Sequence, residues 1–276
     1  GRQRQLCIRD RQNTNALTFM EQLDPESIHL IVTDPPYIIS KDSGMDKQYN
    51  LVQEVGDGYT KTEMEWESYK QKQGIQGDDK KENYMRYGSI YGKKYAVKTQ
   101  YGDWDSDFTM QELELIIEQY YKKLKKGGTM IMFFDLWKIG ELKTILEKYK
   151  FKQIRFIEWI KTNPQPRNSS VNYLTNCREI ALVAVKGTKP TFHSKYDNGI
   201  YHYPLQGGKG RFHPTQKNLE MIKALIEKHS NEGDVVLDTF LGSGTTALAC
   251  RETGRTCFGC EVAPEYFAKM NALLDP

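Results

Sequence analysis

Cysteine and long apolar runs are both scarce in this sequence. Five cysteines among 276 residues are too few for a disulfide scaffold, which favours an intracellular, reducing setting. No apolar run approaches the roughly 20 residues that a membrane-spanning helix requires, and we expect no signal peptide. The composition therefore argues against membrane proteins and small disulfide-rich domains. It fits one large globular domain, or one domain with a sizeable insertion.

Cys257 and Cys260 form the single C-x-x-C pair in the sequence. They lie in an apolar segment that predicts a buried strand, in which residues three apart point to opposite faces. The two thiols would diverge, and no second pair follows to complete a metal site. We therefore expect no metal.

Short apolar segments alternate with amphipathic ones along most of the chain. The predicted strands lie at residues 28–33, 129–134, 154–160, 179–185, 234–238 and 256–261. The predicted helices lie at residues 14–23, 109–124, 137–149, 216–229, 245–252 and 264–274. This alternation predicts an α/β fold: a doubly wound, mostly parallel sheet with helices on both faces. Such sheets bind ligands at the carboxyl ends of their strands.

Two polar stretches interrupt the alternation. Residues 38–101 are rich in Gly, Lys, Gln and Tyr and show no sustained period, which predicts a long loop or an insertion. Residues 186–212 are again polar, Gly-rich and basic. The net charge of +3 is weak evidence for an acidic partner, so these local clusters carry more weight.

A glycine turn joins the strand at 234–238 to the next helix. Gly242 and Gly244 allow a tight turn and the close approach of a ligand, and Glu261 ends the following strand, where a ribose-hydroxyl acceptor is expected. The pattern indicates a cofactor that contains adenosine, although an ordinary turn with a solvated Glu261 remains an alternative. The third glycine of G-x-G-x-x-G is absent and no cationic cluster faces a diphosphate. S-adenosylmethionine therefore suits the turn better than NAD.

Asp34-Pro35-Pro36-Tyr37 follows the strand predicted at 28–33. One interpretation is structural: two prolines end the strand and the tyrosine packs. The other is the methylation of an exocyclic amino group on a base. Asp34 and the Pro35 carbonyl would accept the N–H groups and free the lone pair, and Tyr37 would stack on the extruded base. Carbon-5 methylation of cytosine needs a nucleophilic cysteine, and none lies near Asp34.

Segments in a fixed order along the chain resemble the beta class of DNA amino-methyltransferases, in which the tetrapeptide precedes the cofactor glycines. Residues 23–37 are similar to the family's lead-in to D-P-P-Y. Four segments are similar to its G-D-W-D, W-x-K-x-N-P-x-P, R-Y-x-T-x-x-x-E and H-P-T-Q-K-P motifs: 102–105, 159–166, 172–179 and 212–217. Residues 238–245 are similar to its D-P-F-x-G-S-G-T.

The resemblance implies a Rossmann-like methyltransferase fold and a site-specific DNA adenine-N6 methyltransferase of a restriction-modification system. Methyl transfer would run directly from S-adenosylmethionine to a flipped-out base, without a metal. The implied catalytic residues are Asp34, Pro35, Pro36 and Tyr37. The implied cofactor contacts are Asn15, Asp34, His213, Thr215, Gln216, Lys217, Asp238, Phe240, Gly242, Ser243, Gly244, Thr245 and Glu261.

Other targets stay open at this point. They are cytosine N4, an RNA base, a protein amide, or no catalysis at all in an inactive DNA-binding subunit. An aspartate at the first tetrapeptide position favours adenine. The sequence departs from the family at three positions: Thr239 and Asn218 replace prolines, and Asn15 replaces an aspartate near the cofactor adenine. An amide can still accept and donate, so we expect cofactor binding to be retained.

The resemblance also divides the chain. Residues 1–37 and 102–160 form the catalytic part, 213–276 the cofactor part of the same domain, 161–212 the target-recognition segment, and 38–101 an insertion that contacts DNA. The predicted nucleic-acid contacts are Lys161, Asn163, Arg167, Arg178, Lys209 and Arg211.

Double-stranded DNA, and also single-stranded DNA, are the expected partners of this chain. A homodimer and a pairing with a restriction enzyme or a second methyltransferase subunit both remain open. The expected location is the cytoplasm of a bacterium or a phage-infected cell, or wherever its DNA resides.

Overall fold

An eight-stranded sheet lies in the larger of the two units into which the chain divides, residues 1–38 with 107–276. The computed structural model describes residues 10–36, 58–88, 90, 108–164, 176–205 and 216–274. The strands are β1 (Arg11–Gln12), β2 (Ile28–Thr33), β3 (Leu124–Phe134), β4 (Lys152–Lys161), β5 (Arg178–Val185), β6 (Ile200–Tyr203), β7 (Val235–Asp238) and β8 (Thr256–Cys260). The helices are α1 (Ala16–Glu21), α2 (Glu63–Gln73), α3 (Lys81–Tyr87), α4 (Met110–Lys123), α5 (Ile139–Lys148), α6 (Leu219–His229), α7 (Thr245–Glu252) and α8 (Pro264–Leu274).

The strand order is β1-β8-β7-β2-β3-β5-β4-β6. The described strands pair in parallel except where β5 meets β3 and β4. From β2 the chain continues outward to β3, whereas from β7 it continues in the opposite direction to β8. The boundary between β7 and β2 is therefore the switch point at which such sheets bind ligands. The prediction of a doubly wound, mostly parallel sheet is confirmed.

Apolar cores cover both faces of the sheet. Ile31 and Met130 face a core that includes α1, α4 and α5, whereas Leu30, Val32 and Ile131 face a core that includes α6, α7 and α8. Successive residues of one strand thus enter opposite cores, as the two-residue strand period requires. This sandwich of helices on a buried sheet fixes the carboxyl ends of the central strands.

Gly127 and Gly128 lie inside β3, before the start of the strand predicted at 129–134. Helix α4 stops at Lys123, and β3 begins at once with Leu124. The Gly127 amide donates to the Lys186 carbonyl over 2.7 Å, so this stretch already pairs with the chain beyond β5. A Cβ on Gly127 would lie 2.6 Å from the Lys189 carbonyl oxygen. Close approach of two backbones, at φ +83° for Gly127, explains the glycine.

Strand β6 was not predicted from the sequence. It lies within the polar stretch 186–212 and pairs in parallel with β4, with Tyr201 opposite Trp159. Four residues at a sheet edge carry too little periodic signal, since among them only Tyr201 is buried. The helix predicted at 137–149 also differs, because residues Leu136–Lys138 form a 3₁₀ turn before α5.

The second unit, residues 39–106, is described over 58–88 and at 90. Of the two predicted alternatives, a long loop or an insertion, the loop is wrong for α2 and α3, which pack around Trp66, Tyr84 and Met85. Helix α2 starts with a capping box formed by Thr62 and Glu65. It buries only Trp66, and one apolar contact in eleven residues leaves no helical period in the sequence.

Cys257 and Cys260 of β8 enter opposite cores, so the predicted divergence of the two thiols is confirmed. Over the described part of the chain, no group of His, Cys, Asp and Glu side chains could hold a metal ion. Among the helices described there, none is long and apolar enough to cross a membrane.

Candidate active site

The D-P-P-Y tetrapeptide leaves the sheet at the switch point. Asp34 directly follows Thr33, the last residue of β2, which pairs with Met132 of β3. The Asp34 side chain is 19% exposed, and Pro35 beside it is buried. Neither Pro35 nor Pro36 has an N–H, so strand pairing stops where a ligand would enter. Tyr37 lies outside the described residues.

A buried hydrogen bond links the tetrapeptide's strand to the strand that opens the glycine turn. The Thr33 hydroxyl donates to Asp238 Oδ1 over 2.9 Å, and the Phe240 amide donates to the same oxygen over 3.0 Å. Burial raises the pKa of Asp238 to about 6 against the effect of these donors, and the negative charge of Asp34 adds to the rise. The Asp238 side chain is only 3% exposed, so it shapes the turn from within the protein.

The glycine turn connects β7 to α7. Gly242 and Gly244 have φ angles of +51° and +81°, which residues other than glycine rarely adopt. A Cβ on Gly244 would collide with the Met270 side chain. Ser243 and Thr245 join their hydroxyls over 2.9 Å. The turn therefore presents backbone to a ligand at close range.

Glu261 lies just beyond the end of β8 and faces this turn. Its Oε2 accepts the Gly242 amide over 2.8 Å, and its Oε1 accepts the Ala263 amide over 2.9 Å. Burial raises the pKa of Glu261, and these backbone donors oppose the rise. The structure thus brings the predicted acidic residue to the glycine turn, where it also fixes the turn's shape.

The short edge strand β1 brings a third segment to the cofactor end of the sheet. Gln12 pairs with Cys260, and the Asn13 side chain donates to the Glu261 carbonyl over 2.7 Å. Asn15 follows, exposed, and caps α1 by accepting the Thr18 amide over 2.9 Å. Asn15 therefore lies two residues along the chain from Asn13, which contacts the Glu261 backbone.

Asp34 of the tetrapeptide and three charged side chains beside it form a series of alternating sign. Lys217 Nζ is 2.6 Å from Asp34 Oδ2 and 2.9 Å from Glu179 Oε2, and Lys161 Nζ is 2.6 Å from Glu179 Oε1. Burial alone would raise the pKa of Glu179, but the charges of Lys217 and Lys161 outweigh it and hold that pKa at about 2. Glu179 is therefore a carboxylate at any pH near neutrality.

Comparison with known proteins identifies the family. The model of the N6/N4 methyltransferases, described as DNA methylase, matches residues 28–272. The chain belongs to this DNA methylase family. It is 28% identical to the type II methyltransferase M2.DpnII of Streptococcus pneumoniae, over 92% of this chain and 85% of that protein. It is 29% identical to the type II methyltransferase M2.MboI of Moraxella bovis, over 91% of this chain and 82% of that one.

Solved DNA methylases share the fold. The complex of M1.HpyAVI with S-adenosylmethionine superposes with a TM-score of 0.60 at 24% identity, over 96% of this chain and 98% of that one. The PvuII cytosine-N4 methyltransferase gives a TM-score of 0.59 at 15% identity, over 95% and 86% of the two chains. The protein is a DNA methyltransferase, and S-adenosylmethionine is its methyl donor.

The described residues of this DNA methylase fit that cofactor. The Glu261 carboxylate accepts backbone amides of Gly242, Ala263 and Val262, and a carboxylate has about four acceptor sites, so capacity remains for a ribose hydroxyl. Gln216 Oε1 is buried with no hydrogen-bond partner in the part of the chain that the structure describes, which is an acceptor ready for a ligand. The turn at 238–246 contains no Lys or Arg, as suits a ligand without a diphosphate.

The two proline replacements in this DNA methylase have structural reasons. The buried Thr239 hydroxyl is hydrogen-bonded to the Tyr120 hydroxyl of α4, a bond that proline cannot make. Asn218 caps α6 by accepting the Met221 amide over 3.0 Å and donates to the Pro204 carbonyl over 3.0 Å. Each replacement therefore adds a link between the cofactor end of the sheet and a neighbouring element.

The predicted nucleic-acid contacts are only partly placed. Lys161 is paired with Glu179, and the Asn163 side chain accepts the Leu205 amide over 2.6 Å. Arg178 is exposed at the start of β5. The other predicted contacts, and two of the cofactor residues, lie outside the described residues: Arg167, Lys209, Arg211, His213 and Thr215.

Sequence reasoning missed Glu179 and Thr33 as parts of the site. Glu179 closes the segment that resembles the family's R-Y-x-T-x-x-x-E stretch, so its position in that segment was the available signal. Thr33 ends an apolar strand, and nothing in the pattern distinguishes its hydroxyl from a solvated one. Thr33 gains its role from Asp238, 205 residues away in sequence, and Glu179 from Lys161 and Lys217, 18 and 38 residues away.

Proposed function

We propose that this DNA methyltransferase acts on N6 of adenine within a specific DNA sequence, with Asp34 and Pro35 as the acceptors for the amino group. The observation that carries the proposal is the position of Asp34. Its carboxylate lies at the switch point and pairs with the buried ammonium of Lys217. Strand β2, which leads to Asp34, is the neighbour in the sheet of β7, which leads to the glycine turn. An aspartate in the first tetrapeptide position supports adenine over cytosine.

The two acceptors overcome the poor nucleophilicity of the amine. The Asp34 carboxylate and the Pro35 carbonyl take its N–H groups and draw the nitrogen toward tetrahedral geometry, which frees the lone pair for attack. The prolines restrict the backbone, so little conformational freedom is lost in the step. Bound S-adenosylmethionine would supply a methyl group from a cationic sulfur. As the N–C bond forms, the electron pair of the broken C–S bond would stay on sulfur, and the proton that the amine loses would pass to water. Tyr37 stacks on the flipped-out base.

Cytosine N4 is the second candidate target. The family includes both N6 and N4 enzymes, and the PvuII enzyme with the same fold is cytosine-N4-specific. The same pair of acceptors could serve that amine. Product analysis separates the two, because the modified nucleosides differ.

We assign the recognition of the DNA sequence to residues 161–212. The described part of this segment presents Phe192 at 43% exposure and Tyr196 fully exposed, with Lys189 and Lys195 nearby in sequence. Aromatic and basic side chains of this kind contact bases and phosphates. Residues 38–101 are a second candidate for DNA contact. In the described part of that unit, however, Lys61, Lys70, Lys81 and Arg86 all pair with carboxylates.

A restriction enzyme is the proposed functional partner. M2.DpnII and M2.MboI are named type II methyltransferases, and this chain would likewise protect its host's DNA wherever that DNA resides. A homodimer or a second methyltransferase subunit are further assemblies that size measurements on the purified chain would reveal.

The test is a transfer assay with radiolabelled S-adenosylmethionine and a mixture of DNA, RNA and protein, followed by nucleoside analysis. N6-methyladenine in DNA is the expected product. N4-methylcytosine would refute the adenine assignment, and label only in RNA or protein would refute the DNA substrate.

Asp34→Asn tests the role assigned to the carboxylate. Cofactor binding should persist while transfer falls by about 100-fold or more, the usual cost of removing one positioned acceptor. The matched control is Asp234→Asn, whose carboxylate lies 3.3 Å from His29 at the amino ends of β7 and β2, the edge of the sheet opposite the site, and which should transfer normally. Normal turnover by Asp34→Asn would remove Asp34 from the mechanism.

A further inference from the structure

Lys161, Glu179, Lys217 and Asp34 form a continuous chain of ion pairs, called here the ion-pair chain. Its three links measure 2.6, 2.9 and 2.6 Å, and its side chains are 14, 20, 7 and 19% exposed in that order. Two positive and two negative charges alternate, so the chain is neutral as a whole. It begins at the carboxyl end of β4 and ends on the catalytic carboxylate.

The topology of the sheet brings these residues together. Glu179 is the second residue of β5, which runs antiparallel to β3 and β4, so its first residues lie at the edge where parallel β2 ends. Lys161 ends β4 at that edge, and Lys217 precedes α6 by two residues. Each member therefore comes from a different segment, and the shared edge is the reason that they meet.

The two cations lie against aromatic rings, away from bulk water. Lys217 Nζ is 5.1 Å from the centre of the Phe133 ring, and Lys161 Nζ is 5.3 Å from that of Trp159. Buried charges in such surroundings are costly unless paired, and removing one partner leaves the other uncompensated. The ammonium of Lys217 is thus bound to Asp34 and Glu179 more strongly than a surface lysine would be.

Other charged groups around Asp34 make a cation necessary. Asp238 of β7 is close enough for the two carboxylates to repel, which contributes to the raised pKa of Asp238. Glu179 of β5 adds a third carboxylate, and Lys217 is the cation between it and Asp34. Without that ammonium, Asp34 would take up a proton more readily. A protonated carboxyl is a poorer acceptor for the substrate's N–H group.

We propose that Lys217 is a positioning residue of the methyl-transfer reaction, and that Glu179 anchors its ammonium so that Asp34 stays ionised and correctly aimed. This rests on the proposed role of Asp34 as acceptor for the amino group. Lys217 keeps its proton throughout and acts through Asp34. Its role therefore differs from the cofactor contact that the family resemblance implied for the same residue.

The test compares Lys217→Met, Lys217→Arg and Glu179→Gln with the unmodified protein. Tritiated S-adenosylmethionine and unmethylated DNA of mixed sequence give kcat as a function of pH, and calorimetry gives the Kd of the cofactor. Lys217→Met should lower kcat by about 100-fold or more, as expected when a preorganised group is lost. The acid limb of its profile of kcat against pH should move to higher pH, and the cofactor Kd should change by less than about threefold.

The two milder variants guard against a trivial loss of folding. Lys217→Arg keeps the charge and should recover at least about a tenth of kcat, with the acid limb restored. Glu179→Gln removes the anchor only and should lower kcat by about tenfold, with an unchanged KM for the cofactor. Thermal melting and cofactor binding identify any variant that does not fold. The variants that do fold then decide whether Lys217 acts as a positioning residue.

Lys228→Met is the matched control, since it breaks another partly buried lysine–carboxylate pair, to Asp197, at the opposite end of α6. It should leave the pH profile of kcat unchanged. A normal kcat and acid limb in Lys217→Met, or a large rise in cofactor Kd with no change in the limb, would overturn the proposal. Nucleoside analysis of DNA methylated by the unmodified protein tests the adenine assignment separately. The shift of the acid limb can be measured whichever amine is methylated.

Discussion

Thr33 donates a 2.9 Å hydrogen bond to Asp238, and this bond joins the two strands on which the site is built. Thr33 ends β2 and precedes the tetrapeptide, whereas Asp238 ends β7 and precedes the glycine turn. Both side chains are buried. The bond thus crosses the switch point between the tetrapeptide, which we propose accepts the amine, and the glycine turn, which we propose binds the methyl donor.

Thr33→Val should destabilise the protein by about 1–3 kcal/mol, because valine keeps the volume while Asp238 loses a buried donor. Urea unfolding measures the change. Thr33→Ser keeps the hydroxyl and is the matched control, with a loss below about 1 kcal/mol. Equal losses in the two variants would show that packing of the methyl group, rather than the hydrogen bond, carries the effect.

Asp238 should make stability depend on pH. Its pKa rises from 3.8 to about 6 on burial, so between these values the folded protein binds a proton that the unfolded chain has released. Its contribution to the free energy of unfolding therefore falls as pH rises through this window, and stays low above it. Asp238→Asn cannot ionise. The stability of this variant minus that of the unmodified protein should increase with pH across the window, by up to ~3 kcal/mol.

Urea unfolding at a series of pH values tests this dependence. Taking the difference between the two proteins removes the contributions of other groups, including Glu179, whose ordinary pKa of 4.5 in the unfolded chain lies inside this window. A difference that stays constant from pH 3.8 to 6 would contradict the raised pKa of Asp238.

Gly244→Ala should weaken both the fold and cofactor binding. Its φ of +81° disfavours a side chain, and the new Cβ would collide with Met270. Gly233→Ala is the matched control, since Gly233 has φ +83° and a Cβ there would have no other atom within 4 Å. We expect a loss of about 1–2 kcal/mol for Gly233→Ala and a larger loss for Gly244→Ala. Thermal melting with and without cofactor checks both, and equal losses would argue against the collision.

Tyr120 and Thr239 should be energetically coupled through their buried hydroxyls. Tyr120→Phe and Thr239→Val should each cost about 1–2 kcal/mol, because each leaves one buried hydroxyl with fewer partners. The double variant should cost less than the sum by about 0.5 kcal/mol or more. A double-mutant cycle in urea measures the coupling, and strict additivity would show that the bond contributes nothing.

The hydrophobic pattern of the sequence predicted the bounds of an element wherever the element had enough apolar residues on one face. Strand β2 and helices α7 and α8 have the bounds that the sequence predicted, because a continuous apolar run or a full helical period marks them. Helices α2 and α3 and strand β6 were missed. Each buries at most two side chains, so no period could reveal it.

Lys161 and Lys217 illustrate the same limit at the site. The sequence predicted a nucleic-acid contact for Lys161, and the family resemblance implied a cofactor contact for Lys217. Neither prediction included Glu179, which both side chains meet. A lysine's partner depends on which strand ends share an edge. That depends on the antiparallel direction of β5, which short apolar segments do not encode.

The sequence by itself determined the features on which the proposed chemistry rests: the tetrapeptide, the glycine turn and Glu261 each consist of residues adjacent in the chain or separated by one strand and helix. Backbone geometry acts over such short distances, so residue type and spacing suffice. Only the tertiary structure decided how that chemistry is held in place. The bond from Thr33 to Asp238 and the pairing of Asp34 with Lys217 join residues 205 and 183 positions apart. Such contacts exist only after the buried sheet has aligned the ends of its strands.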